Sequence, residues 1–356
     1  MICRIARGRR LVMPLVAVLC GACGGAAEVR PEDSLLAAGP PIALERSDLD
    51  YLTDPAVLVV GRSALYVADA SQGEIVEYSR AGQRRRHIGS RGNGPGQYIG
   101  PTAMTLMHDT LLLVADAALH RVSVFVTTQG SHFGAYFTPA QVYSIAERGD
   151  TVVFGMQDLE RKTSVGRLLP GDSVVWQIGP IADDILRHPR VAQMYPLSLV
   201  TPTTGGYRIG FTGSALTYRV DAKGQVVDST IPPTRWRRGV PTDLDARLDT
   251  ARTISHEAAP ASLLVMMGAR PDHGVVMVHL DFVMDGGAVG VRAFLSTLDA
   301  DGRSRCVDQI VPIATEARPV FALVGDTLFV VQNRSTTGSG AVRTVLTRFV
   351  VHCRSG

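Results

Sequence analysis

The chain has 356 residues, 46% of them apolar and 19% charged, a balance that allows an extensive core and argues against a disordered protein. Its formal charge of +3 is misleading. Residues 1–22 carry four arginines and no acidic residue, so without them the charge is −1, and such a chain lacks the basic face that nucleic-acid binding requires.

The first 22 residues divide as an export signal does. Arg4, Arg7, Arg9 and Arg10 form the basic part, and Leu11 to Leu19 form an apolar stretch too short to span a bilayer core of about 30 Å. Small residues follow in Leu19-Cys20-Gly21-Ala22-Cys23. That run resembles the lipobox of bacterial lipoproteins, in which the invariant cysteine, here Cys23, receives diacylglyceryl. It departs from the family pattern in having Cys20 three positions before that cysteine, with Leu19 one step further back. Ordinary cleavage near Ala22, releasing a soluble protein, is the alternative. With Cys3 and Cys20 removed and Cys23 lipidated, Cys306 and Cys353 remain, and an even pair in an oxidising compartment is expected to form one disulfide. A zinc site is the rival, but neither cysteine lies in a Cys-x-x-Cys pair.

Residues 24–41 are rich in Gly, Ala, Pro and charge, without a sustained apolar period, and read as a tether of about 20 to 25 Å. From Ile42 to Gly356 short alternating or β-branched runs recur between Gly, Asp, Asn and Pro, which predicts many short strands. Internal repetition distinguishes a propeller from a sandwich. Leu65-Tyr66-Val67-Ala68-Asp69 is echoed by Leu112-Leu113-Val114-Ala115-Asp116, about one four-stranded unit later, and Asp-Thr precedes an apolar strand at Asp109, Asp150 and Asp326. An Asp at a strand end can fix a tight turn through its own backbone. Proline precedes apolar runs at Pro55, Pro101, Pro139, Pro196, Pro260 and Pro319, which predicts six units. Thr242-Asp243-Leu244-Asp245 reads as a capping box opening one surface helix at about 243–257, with Leu244, Leu248, Ala251 and Ile254 at helical spacing. The clusters Arg84-Arg85-Arg86-His87 and Arg235, Arg237, Arg238 read as solvated outer edges. Closure of the ring is expected from pairing of Ile42–Arg46 beside Val345–His352, because an open propeller would leave two unpaired edges.

Ile88-Gly89-Ser90-Arg91-Gly92-Asn93-Gly94-Pro95-Gly96-Gln97-Tyr98, followed by Pro101, resembles the link of NHL-type repeats, and with the Val-Ala-Asp strands the chain looks like the six-bladed β-propeller lipoproteins of bacteria. The resemblance covers about residues 55–130. It implies an all-β fold of six four-stranded blades and a place in the cell envelope, lipid-anchored at the outer membrane or its periplasmic face. Gly92 to Gly96 is not a phosphate loop, since no Lys-Ser/Thr follows and the next element is a strand.

No Gly-x-Ser-x-Gly, His-Glu-x-x-His or Cys-x-x-Cys motif is present. The expected function is therefore a binding or interaction module for a protein or small molecule, without cofactor, using one mouth of the channel. The residues before the six prolines are Asp54, Gly100, Thr138, Tyr195, Ala259 and Arg318, of which Asp54, Tyr195 and Arg318 form the candidate ligand-facing set. Strand-end capping is the plainer role for Asp54 and Arg318. The NHL resemblance also implies an alternative, a metal-dependent hydrolase or lyase working in the central channel. Its best candidate ligands are His279 and Asp281, which strand alternation places on one face, opposite Val278, Leu280 and Phe282. Two residues do not make a metal site. Cells grown on labelled palmitate should label the wild-type protein and not Cys23→Ser; equal labelling would remove the lipid anchor.

Overall fold

Period-two apolar patterning folds this chain into antiparallel strands that group in fours. The computed structural model describes residues 36–45, 52–168, 176–187, 191, 193, 195, 197–250, 261–285, 288–314, 318–335 and 342–353. The signal segment, Cys23 and most of the tether lie outside these residues. Blade one comprises Pro55–Val60, Ala64–Asp69, Glu74–Ser79 and Arg84–Ile88, and blade two comprises Pro101–Met107, Leu111–Asp116, Arg121–Val126 and Ser131–Phe137. Blade three holds Val142–Arg148, Thr151–Asp158, Thr163–Leu168 and Trp176–Pro180, and blade four Ser198–Thr203, Gly206–Phe211, Thr217–Asp221 and Val226–Thr230. Blade five is Ser262–Ala269, Val275–Asp285, Ala288–Leu298 and Ser304–Val311, and blade six takes Val320–Val324, Thr327–Ser335 and Val342–Val351 from the C-terminal end. The first strand of each blade packs beside the first strands of both neighbours, so six innermost strands close a ring. The chain is a six-bladed β-propeller, as the proline spacing predicts.

The sixth blade is completed from the other end of the chain. Leu36–Ala38 and Ile42–Ala43 both pair antiparallel with Val342–Val351, with Leu36 opposite Val351 and Ile42 opposite Leu346. Closure by both termini is thus present, and the pairing begins already at Leu36, within the segment expected to be tether. Leu36 is buried with Phe349 and Val351. Leu44 and Leu52 are buried against Val331 and Leu346 where blade six meets blade one.

The repeated Asp of the second strand does more than cap its own hairpin. The Asp69 carboxylate accepts from the amides of Ser71 and Gln72 in its own turn, at 3.0 and 3.1 Å, and from those of Thr53 and Asp54 in the incoming link, at 2.5 and 3.2 Å. Asp116 repeats the pattern one blade later, accepting from Ala118 and Leu119 and, at 2.6 and 3.4 Å, from Ile99 and Gly100. One buried carboxylate therefore fixes both the turn and the start of its blade's innermost strand. Burial alone would raise the Asp69 pKa, but these hydrogen bonds stabilise the anion and leave it below the ordinary carboxylate value. In the glycine-rich link Ser90–Arg91 pairs parallel with Gln97–Tyr98, and the buried Arg121 donates to the carbonyls of Asn93 and Gln97. Gly89 has a φ of 69°, and a Cβ there would lie 2.7 Å from the Gly96 carbonyl oxygen, so the link needs glycine at that position.

Apolar seams fill every gap between blades, but unequally. Between blades six and one, one and two, two and three, three and four, and five and six, each seam buries nine or more apolar side chains. Between blades four and five the core shrinks to Leu199, Leu264, Val275, Met277 and Leu298. Cys306, in the outer strand of blade five, is disulfide-bonded to Cys353 beyond the last strand of blade six, with a Cα separation of 5.9 Å. The 47-residue separation corresponds to about 4 kcal/mol in the chain-entropy model. Two helices with both ends among the described residues lie in the long links. α1 (Asp183–Arg187), a single turn too short to show periodicity in the sequence, buries Ile185 in the seam between blades three and four. α2 (Leu244–Thr250) is the expected surface helix, and residues 251–257 of the expected span lie outside the described residues. Leu244 and Leu248 pack against Val191, Val240 and Tyr195.

Because Leu36 contributes about 1.5 to 3 kcal/mol of burial, a chain lacking residues through Ala38 should melt below one lacking residues through Ser34. A chain lacking residues through Ala43 should melt lower still. Calorimetry of the three checks this, and equal melting temperatures would remove closure by the N-terminal strands.

Candidate ligand site at the channel mouth

The innermost strands have only one strand neighbour each, and side chains of adjoining strands take up part of their open edges: Thr102 donates to the Val142 carbonyl, and the Ser144 hydroxyl donates to the Ser198 carbonyl and accepts from the Val200 N–H. At the end where these strands finish, a cavity of 490 Å³ lies on the axis of the ring. Its walls come from the innermost strands of five blades: Leu58 and Val60, Met104 and Leu106, Ile145, Met266 and Met267, and Phe321 and Leu323. Blade four contributes none of the lining.

The Asp-Thr echo marks the rim of this mouth. In three blades the Asp of the turn after the innermost strand takes a basic side chain from the preceding blade. Arg62 Nε of blade one lies 2.8 Å from Asp109 Oδ2 of blade two. His108 Nε2 of blade two lies 3.1 Å from Asp150 Oδ1 of blade three, and Arg270 Nε of blade five lies 2.9 Å from Asp326 Oδ1 of blade six. These pairs are largely exposed, so they set geometry more than they stabilise. His108 and Asp109 hold φ values of 52° and 56°, a left-handed pair unusual for residues other than glycine, which aims both side chains across the blade boundaries. His108 also approaches Glu147, with its backbone N–H donating at 3.3 Å and Nδ1 at 3.8 Å from the carboxylate. Partial burial raises the Glu147 pKa. His108 works against that rise, and the charges of Asp109 and Asp150 add to it.

Asp54, Tyr195 and Arg318 stand at the opposite end of the innermost strands. The Asp54 backbone is engaged on both sides, its amide by Asp69 and its carbonyl by Ala70 N–H at 3.0 Å. Tyr195 lies against Val191 and α2, where burial raises its hydroxyl pKa, and Arg318 is exposed. Blades one and six are neighbours, whereas Tyr195 precedes blade four across the ring. The 490 Å³ cavity is lined by none of the three. Its rim was signalled in the sequence by the Asp-Thr repeat, but local reading gives only a turn, because the basic side chain that each Asp meets comes from another blade.

His279 and Asp281 do share one face, as alternation requires, and that face points into the thin seam toward blade four. Both are buried. Arg238 Nε lies 3.0 Å from Asp281 Oδ2. Burial nevertheless leaves the Asp281 pKa raised, against the opposing pull of Arg238. Burial, and then the charge of Arg237, hold His279 well below the ordinary imidazole value, so it is neutral. His279 Nδ1, Asp281 Oδ1 and the hydroxyl of Ser262, opposite Asp281 in register, have no partner. Among the described residues no group of three or more His, Cys, Asp or Glu is placed to hold a metal ion. Two guanidinium groups beside this pair oppose a divalent cation there.

The expectation that Arg235, Arg237 and Arg238 form a solvated strand edge is corrected for Arg237, while Arg235 and Arg238 are exposed. They lie in the link between blades four and five, and Arg237 is buried against Asp308 at 2.8 Å. Asp308 also accepts from the amides of Arg235, Trp236 and Arg237, so it anchors the whole link. The Arg84–His87 cluster is the outer strand of blade one, where Arg85 and Arg86 pair with buried Glu77.

No family model matches the chain, and no curated protein matches it. Solved structures do, at the level of fold. A Bacteroides fragilis protein described as exported superposes with a TM-score of 0.60 at 11% identity, covering 89% of this chain and 95% of its own. A member of the DUF4221 family from Bacteroides vulgatus gives 0.56 at 10% identity, covering 88% and 97%. A streptogramin B lyase structure gives 0.52 at 9% identity, again covering 88% and 97%. At such identities the likeness defines the class as a β-propeller and goes no further.

Removing the Asp308 carboxylate would strand a buried guanidinium and three amides. Asp308→Ala should therefore destabilise by about 3–5 kcal/mol in urea unfolding, and Asp281→Asn, whose partner Arg238 is half exposed, by clearly less. Equal small losses would show that the link is not anchored there.

Proposed function

We propose that this chain is an exported propeller, tethered in the cell envelope by a lipid on Cys23, that binds a ligand at the channel mouth ringed by Asp109, Asp150 and Asp326. The cavity carries this reading: a rigid ring of innermost strands from five blades encloses a 490 Å³ space with a few ionisable groups at its rim, while the apolar side chains of those strands pack in the seams. Export is supported by the division of residues 1–22 and is in keeping with the exported description of one fold neighbour. The lipid anchor is supported by the lipobox-like run ending at Cys23. Binding without turnover is favoured over the hydrolase or lyase alternative because the acidic and imidazole groups at the mouth are engaged with one another across blades.

The test is native mass spectrometry of the pure protein incubated with an envelope lipid and metabolite extract. A bound species should be retained by the wild type and by Tyr195→Ala, and lost on filling the mouth with Val324→Trp or Thr105→Trp. Retention in both Trp variants with loss in Tyr195→Ala would move the site to the other end. Turnover of the bound species that stops with EDTA would overturn the binding-module reading.

A further inference from the structure

Arg208 is the largest side chain that the fold buries almost completely, with 1% of its surface exposed. In the second strand of blade four, Tyr207 and Ile209 face the apolar seam with blade three, so alternation turns Arg208 toward blade five. Its guanidinium makes one hydrogen bond among the described residues, Nη1 donating to the Thr217 hydroxyl at 3.2 Å. Nε is buried without a partner. Opposite Arg208 in register stands Arg219, and opposite Arg219 stands Asp228, whose carboxylate binds the Arg219 guanidinium at 2.6 Å. The other carboxylate that reaches Arg208 is Asp299, held by Arg305 at 2.8 Å and by the Arg303 amide at 2.8 Å. Both acids are thus committed to other arginines. A guanidinium does not lose its proton in a protein, so Arg208 is a buried cation without an ion-pair partner among the described residues. The desolvation cost of such a charge calls for an anion.

The edge of a guanidinium that carries Nε and Nη2 can grip an oxyanion through two parallel hydrogen bonds. Here Nη2 lies against Gly302, in the turn between the last two strands of blade five. A Cβ on Gly302 would sit 3.0 Å from Nη2 and 3.4 Å from the Thr230 hydroxyl, and the φ of 85° at that position also favours glycine. Thr230 ends the outer strand of blade four and is partly exposed. Its carbonyl accepts from Thr217 at 3.1 Å, and its hydroxyl faces the same turn as Nη2. Donors from blade four therefore converge on the outer part of the seam, where the turn of blade five keeps no side chain at its centre.

We propose that Arg208 holds a small oxyanion, a phosphate or a carboxylate, between blade four and the turn of blade five at Gly302, with the Nε–Nη2 edge and the Thr230 hydroxyl as donors. The site is separate from the channel mouth, to whose lining blade four contributes nothing. A bound anion balances the excess positive charge of the Arg208, Arg219 and Asp228 row. It also links the two blades whose seam buries only five apolar side chains, so binding should register as stability.

Thermal unfolding of the wild type in Tris chloride, titrated with sodium phosphate or sodium acetate and balanced with sodium chloride to constant ionic strength, tests this without any variant. One of the two oxyanions should raise the melting temperature saturably, by about 2 °C or more. Phosphate ahead of acetate assigns a phosphoryl ligand, and acetate ahead of phosphate assigns a carboxylate. Arg208→Lys, which keeps the charge and loses the two-pronged edge, should weaken the preferred anion at least tenfold, and Arg208→Met should abolish its effect. No saturable rise with either anion overturns the site and leaves Asp228, whose Oδ1 also lacks a partner, as the counter-charge of Arg208. An equal rise in Arg208→Met, or full affinity in Arg208→Lys, shows an adventitious ion only and overturns it as well.

Discussion

Everything in this fold depends on the ring being closed by a strand from the opposite terminus. Five blades are contiguous in sequence, and each could form by local hairpins. The sixth has only three strands of its own, and without Leu36–Ala38 and Ile42–Ala43 its outer edge would be open. That single non-local pairing joins the two ends of the chain and keeps the innermost strands of blades six and one side by side. It also fixes where the chain leaves the propeller, which is beside the rim at Asp326.

Within the ring, stability is shared differently from seam to seam. Most blades meet across apolar clusters, and there the Asp69 and Asp116 carboxylates hold the links that start the innermost strands. The seam between blades four and five buries five apolar side chains, against nine or more in each of the others. It substitutes a buried network in which Asp308 satisfies three amides and a guanidinium at once. Such a network contributes little net stability compared with an apolar seam, because desolvating the ions costs nearly what their attraction returns. It does define the path of the long link that carries α2, since no other arrangement leaves those groups paired. The partnerless atoms of His279, Asp281 and Ser262 lie together in this seam.

The mouth follows from a simple property of propellers. Turns after the innermost strands converge on the axis, so a side chain at one turn is within reach of the next blade's turn. The rim pairs Arg62–Asp109, His108–Asp150 and Arg270–Asp326 use this proximity, and what remains between them is a channel bordered by the innermost strands of five blades. Loops on a rigid scaffold are where binding chemistry can vary without cost to the fold.

The sequence alone determined the features that rest on local or periodic chemistry. Strand alternation and repeated Val-Ala-Asp runs set the blades, proline spacing set their number, and cysteine counting paired Cys306 with Cys353. The helix at Leu244 was legible from its cap and apolar spacing, and the common face of His279 and Asp281 from alternation. Tertiary structure decided whatever depends on which blade faces which. Arg237 read as a solvated edge because its buried acceptor, Asp308, is 71 residues away. The Asp-Thr turns read as simple hairpins because their basic partners come from the preceding blade. The set Asp54, Tyr195 and Arg318 was chosen by position before a strand, and such a rule identifies one end of a channel without revealing which end holds a cavity. That depends on how side chains from five separate blades meet on the axis, a long-range property that no local pattern encodes.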